Sequence, residues 1–329
     1  MTERENALLA IHHEQPQWVP AVFECLFQVE DMVNERPIFE TGYDCFGVHW
    51  IRSGPETNYI THEDPFQEKP LDDVTEWEDK LVFPDLDVID WKAAADAIPD
   101  EMRREKLINF TCSLGIFERM TTIMTFEDAL CSFLEEPEAT ADLCAAIADF
   151  KIAQFERLAE YIKPDIVNYH DDWGTQSAPF LSREVWDTFI KPNTARIYDC
   201  LNAHGIMVSQ HSCGKVESFV PDMIEMGATL WNSCQDCNDL ARLKREYGDR
   251  IVFSGALNDQ GVLGQPGTTE KMLREEVEKK VSMLADGGGW IGGPNAFVSF
   301  NFDHDRYADA YLKEYSMKYY AAQGKTPGT

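Results

Sequence analysis

The chain has 329 residues, with 29 Lys and Arg against 58 Asp and Glu, for a formal net charge of −29. So acidic a surface repels phosphate backbones and anionic membrane faces, which argues against nucleic-acid binding and membrane attachment. With 44% apolar residues and no run near the roughly 18 apolar residues of a membrane span, the composition is that of a globular protein with a large core.

The opening segment, Met1 to Gln15, is charged and lacks the apolar stretch of a secretory signal. Nine cysteines, an odd number scattered along the chain, do not read as a disulfide framework, so a reducing cytoplasm is the expected location.

In chain order, Val22 to Val29 is a first predicted strand. The stretch from Ser53 to Asp100 is rich in Pro, Asp and Glu and reads as an irregular insertion that wraps over the fold. Leu107 to Thr111 is a second strand. Leu143, Ile147, Phe150, Leu158 and Tyr161 recur at helical spacing and predict a helix from about Thr140 to Ile162, ended by Lys163-Pro164.

Strands and helices then alternate. Asp165 to Tyr169 precedes a helix from Arg183 to Leu201 that Pro192 kinks or splits; Ile206 to His211 precedes Glu217 to Met226. Thr229 to Cys234 precedes Leu240 to Tyr247, and Ile251 to Ala256 precedes Thr269 to Leu284. Trp290 to Gly292 and a helix from about Asp305 to Ala321 close the series. The alternation implies βαβ units and a parallel sheet, and seven visible strands leave open whether that sheet is a closed barrel.

His211-Ser212-Cys213-Gly214 stands at the end of one predicted strand. Residues i and i+2 of a strand point to one side, so His211 and Cys213 can offer a nitrogen and a sulfur to a single ion such as zinc. Cys234 and Cys237 end the next strand, where Cys234 shares a face with Asn232, a candidate hydrogen-bonding group, while packing is the plainer role for Cys237. Asp171 and Asp172 lie at a strand's carboxyl end, where barrel enzymes place acid–base groups, with helix capping as the alternative. Glu24 interrupts an apolar strand and is either paired or aimed at a polar cavity. Phe23, Phe27, Tyr169, Trp173, Trp231 and Phe297 are candidates to wall a pocket for a ring, or to pack the core. The glycines from Gly287 to Gly292 precede a strand, the wrong context for dinucleotide binding.

Asp171-Asp172-Trp173-Gly174, a helix start at Ser182, Lys191-Pro192, His211-Ser212-Cys213-Gly214 and Gly255-Ala256-Leu257-Asn258 together resemble the uroporphyrinogen-decarboxylase-like superfamily, over most of Arg4 to Tyr320. That resemblance implies an α/β fold, a (β/α)8 TIM barrel with an N-terminal extension, as one domain over residues 1–329. Its corrinoid-dependent methyltransferase branch is similar in the pair His211 and Cys213, which there binds zinc with a further Cys after the last strand. Here that region reads Gly293-Pro294-Asn295-Ala296, so Glu24, Asp172 or Cys234 has to supply the third ligand, and Asn295 is left to contact substrate. The decarboxylase branch holds porphyrin carboxylates with arginines near its first strand, whereas Phe23-Glu24-Cys25-Leu26-Phe27 carries an acid instead.

The resemblance thus implies a methyltransferase that moves a methyl group between a small substrate, such as an aryl or alkyl methyl ether, and a corrinoid carried by a partner protein. In that reading Zn2+ sits on His211, Cys213 and Cys234; Asp171 and Asp172 are catalytic; and Glu24, Phe27, Tyr169, Trp173, Asn232 and Asn295 meet the substrate. A homodimer is the expected assembly. The alternatives are a metal-independent decarboxylase or lyase of a small carboxylic acid, and a catalytically silent ligand-binding barrel.

Overall fold

A computed structural model describes residues 1–37, 41–52, 59–61, 69–294 and 301–325. Seven parallel strands form the main sheet: β1 (Leu26–Val29), then β5 (Leu107–Cys112), β6 (Ile166–His170), β7 (Met207–His211), β8 (Leu230–Asn232), β9 (Val252–Leu257) and β10 (Trp290–Pro294), each beside the next in chain order. A separate antiparallel sheet of β2 (Gly42–Tyr43), β3 (His49–Arg52) and β4 (Tyr59–Thr61) lies between β1 and β5 in the chain.

The main sheet curls until its edges meet. Ala21 bridges Gly292 of β10, and the Gly292 N–H donates to the Pro20 carbonyl at 2.8 Å. The barrel therefore has seven strands among the described residues where eight were expected. The seam is made by Pro20 and Ala21; Pro20 has no N–H to give a ladder, and it offers its carbonyl alone. Directly after the seam, Val22–Cys25 makes a helical turn instead of the first half of a strand, and extended pairing resumes only at Leu26.

Alternation along the strands grades the lumen from floor to mouth. Leu107, Ile166, Leu230, Val252 and Ile291 form an apolar floor with Val22 and Cys25, plugged from below by Ala7 and Ile11 of the first helix, Glu3–Ile11. Two residues further along, the inward positions are polar: Asn109, Asn168, Ser209, Asn232 and Ser254. One pleat higher, His170 of β6 is paired in register with His211 of β7. The outward positions, such as Ile108, Phe110, Val167, Tyr169, Val208 and Trp231, belong to the main core under the helices.

The predicted helices are present with shifted ends. The long one starts earlier, at Pro137, a residue tolerated in a first helical turn, and runs to Arg157; a wider turn, Leu158–Ile162, carries it to Lys163, whose φ of 53° stops it. A second wide turn, Trp186–Ile190, lies in front of Pro192, so the helix is widened there and continues as Lys191–Ala203. The acidic insertion packs through Leu71, Val74, Leu81, Trp91 and Ile98 onto the main core. A buried charge network ties the segment around β2 to the barrel's helices: Arg119 pairs with Asp44 at 2.6 Å and approaches Glu35 at 3.7 Å, and Lys151 pairs with Glu35. No helix among the described residues is long and apolar enough to cross a membrane.

Candidate metal centre at the strand ends

At the carboxyl ends of β6 and β7 the register places two imidazoles face to face, with ring centroids 4.0 Å apart and planes 15° from parallel. His170 Nδ1 shares a hydrogen bond of 2.6 Å with Glu118 Oε2, and His211 Nδ1 is bonded to Asn232 Oδ1. An amide oxygen only accepts, so His211 carries its proton on Nδ1 and has its lone pair on Nε2. That Nε2 lies 3.7 Å from Asp172 Oδ1 and 3.6 Å from Cys213 Sγ. One ligand atom each from His170, Asp172 and His211 lies within 4.8 Å of the others.

The electrostatics favour uncharged imidazoles. Burial, with help from the neighbouring His170, pushes His211 down to about 3, and burial likewise lowers His170. Burial and the nearby Asp172 hold Glu118 well above the usual carboxylate range. Burial and then Asp172 also raise the Cys213 thiol, keeping it protonated in the metal-free protein. Two neutral nitrogens, a carboxylate oxygen and an adjacent sulfur make a donor set of the kind zinc takes. Each histidine is turned by a partner on its other nitrogen, as metal-ligating histidines are.

The other predicted residues are elsewhere. Asp171 is fully buried and faces away from the mouth: its carboxylate accepts from Glu118 N at 2.9 Å, Phe117 N at 3.4 Å and Trp173 Nε1 at 3.0 Å. It thus caps the helix Ile116–Ile123, and burial followed by Glu118 raises it to about 7. The approach is so close that a Cβ on Gly115 would lie 2.3 Å from the Asp171 Cβ. Cys234 is buried on the outer side, with its thiol donating to the Trp231 carbonyl at 3.2 Å, and is not brought to His211. Asn232 is at the centre, through His211.

Tyr169 and Trp173 are fully buried. The Tyr169 hydroxyl accepts from Ile116 N at 3.0 Å, and Trp173 stacks edge-on against Trp186 and Phe219. Both pack core instead of walling the mouth, and Phe27 packs partly buried against the same core. Glu24 is carried out of the lumen by the Val22–Cys25 turn and lines, with Asp305 and Asp309, a flanking cavity of about 420 Å³ against the last helix. Asn295 lies outside the described residues.

His170 and Glu118 are the participants missed in the sequence. His170 had a signal: Ile166, Asn168 and His170 repeat, at the same spacing, the pattern Met207, Ser209 and His211. Glu118 had none, because only the packing of its helix brings it to His170.

Fold and site define an α/β barrel protein with a cluster of histidine, carboxylate and thiol groups at the carboxyl ends of its strands. The model of the uroporphyrinogen decarboxylase (URO-D) family matches residues 48–306, well over half of the sequence, and the chain belongs to that family. Among solved structures, a methyltransferase from Methanosarcina mazei is similar with a TM-score of 0.69 at 13% identity, covering 96% of this chain and 99% of that chain; the likeness is one of fold. A sugar phosphate isomerase/epimerase from Parabacteroides distasonis gives a TM-score of 0.36 at 12% identity, covering 68% of this chain and 90% of that chain. The chain has no match among curated proteins.

Proposed function

We propose that this protein is a zinc-assisted methyltransferase that moves a methyl group between a small substrate, such as an aryl or alkyl methyl ether, and a corrinoid carried by a partner protein. The observation that carries the reading is the convergence of His170, Asp172 and His211 at the barrel mouth. The name of the Methanosarcina mazei neighbour supports the activity class.

His170 and His211 would hold the metal through Nε2 and Asp172 through its carboxylate, with Cys213 in reach as a further ligand. Zinc in such a site supplies Lewis acidity towards a departing oxygen, or lowers the pKa of a thiol. The chain's own work is orientation. Glu118 and Asn232 keep each Nδ1 engaged, and the Cys213 N–H fixes the Asp172 carboxylate through a 2.6 Å hydrogen bond. The polar lumen beneath keeps water-like partners under the ring pair without adding charge. Relative to the sequence-based ligand set, this proposal retains His211 and Cys213, replaces Cys234 with Asp172, and adds His170.

The test is methyl transfer to free reduced cobalamin from a panel of aryl and alkyl methyl ethers, followed by the absorbance of methylcobalamin. Turnover by the zinc-loaded protein that is lost in His211→Ala is expected. No turnover with any donor by fully loaded protein would count against the reading.

A second reading is favoured by Arg36. Its guanidinium lies 5.1 Å from the Trp50 ring centroid, and its positive charge lowers both His170 and His211. A cation that acts on the histidine pair is the kind of group a substrate carboxylate would meet, so metal-independent decarboxylation of a small carboxylic acid is the alternative. Loss of carbon dioxide from such an acid by metal-stripped protein would select it.

A further inference from the structure

We infer that the barrel lumen holds one resident water molecule a pleat below the histidine pair, and that this water positions Asn232 and, through it, His211. The consequence for His211 matters to function only if the metal reading above holds; the water itself does not depend on it.

The site is built from orphaned polar atoms. Asn109 Oδ1 and Asn168 Nδ2 are buried without a hydrogen-bond partner, on residues that are 1% and 3% exposed. A buried amide group left unbonded is destabilising, so two of them facing one small space call for a common partner. The Asn109 orientation is fixed independently, because its Nδ2 donates to Gln28 Oε1 at 2.6 Å, leaving Oδ1 as the acceptor. One orphan accepts and the other donates, which is the complement of a water molecule.

The space admits a water. Asn109, Asn168, Ser209, Asn232 and Ser254 surround a cavity of about 20 Å³, whose floor is Leu26, Ile166, Leu230 and Ile291. A cavity needs at least ~10–15 Å³ and two to four polar partners to retain a water.

The water would donate to Asn109 Oδ1 and accept from Asn168 Nδ2, with the Ser209 and Ser254 hydroxyls as adaptable further partners. Asn232 uses its Oδ1 on His211, so its amide nitrogen is the group that meets the water. Held from below, the Asn232 amide cannot turn over, and His211 keeps its proton on Nδ1. Asn109, Asn168 and the water are in this sense positioning groups and touch no substrate.

A crystal structure of the metal-free wild type, at a resolution that displays ordered solvent, tests this directly. A single isolated peak within hydrogen-bonding distance of both Asn109 Oδ1 and Asn168 Nδ2 is expected. Absence of the peak, or density continuous with a molecule entering from the strand ends, overturns the inference whatever the metal content.

The second measurement is the ¹⁵N spectrum of the His211 ring, assigned by comparison with His211→Gln. Asn168→Leu, which fills the cavity and removes the donor, should lose the peak and draw the two ring nitrogen shifts together. Asn109→Leu, which removes the acceptor instead, should do the same. Unmoved shifts in a folded variant would overturn the positioning role, and the wild-type peak decides the water even if neither variant folds.

Discussion

His170 and His211 occupy paired positions on adjacent parallel strands and stack at 4.0 Å, each ring anchored through Nδ1 by a different partner. Two cationic imidazoles could not share that spacing in a buried site, so the arrangement requires at least one, and favours two, neutral rings. Neutral imidazoles are the form in which histidine binds a metal.

Glu118 acts through His170. Glu118→Gln should leave the fold intact but weaken zinc binding by about 10- to 100-fold, the usual cost of losing an outer carboxylate on a ligating histidine. Competition titration against a chromophoric chelator reads this. Unchanged affinity would mean that His170 is not a ligand or is held by packing alone.

Asp171 is expected to be structural. Asp171→Asn keeps one acceptor oxygen and turns its NH2 either on the Glu118 N–H or on the Phe117 and Trp173 N–H groups, so it should destabilise the protein by about 1–3 kcal/mol in urea unfolding. Bound zinc per folded molecule should not change. Loss of metal or of turnover in folded Asp171→Asn would restore it to the catalytic group.

The Arg119 network is a fastening whose partners are useless alone. Arg119→Met removes the cation paired with buried Asp44 and leaves Glu35 to Lys151 alone, and it should cost about 3–5 kcal/mol. Limited proteolysis should then cut first in the segment around β2. Resistance equal to wild type would show that the segment is held by its apolar contacts.

Asp309 gives a pH signature. Burial, then Asp305 and Glu24, raise its carboxyl to about 8, so between the unfolded value and that point the native state holds a proton the unfolded chain has lost. The native state binding more protons means stability falls as pH rises through this window. Asp309→Asn has no such proton: it should match wild type near about pH 4 and exceed it by at least ~1 kcal/mol near about pH 8. Parallel slopes for the two proteins would contradict this.

The strand and helix order was legible because each element carries its own period. The lumen was legible in principle, since Asn168 with His170 and Ser209 with His211 sit at alternate positions of otherwise apolar strands. Three things depended on tertiary context. Glu24 interrupts an apolar run that reads as strand, where it is either paired or aimed at a cavity, yet the chain after the seam at Pro20–Ala21 makes a helical turn. Tyr169 and Trp173 could be pocket walls or core in the sequence, because aromatic character does not reveal which face of a strand or loop is covered by helices. Asp171 and Asp172 are adjacent in sequence, and only the packing of Ile116–Ile123 over Asp171 makes one a cap and leaves the other at the mouth.

The most direct test is the metal content of anaerobically purified protein, by elemental analysis, for wild type beside His170→Ala, Asp172→Asn, His211→Ala and Cys234→Ser. Near-stoichiometric zinc in wild type and Cys234→Ser, with loss in the other three, is the predicted result. Zinc that survives without His170 and Asp172 but disappears with Cys234, or no zinc in wild type, would contradict a centre built from the two strand-end histidines and Asp172.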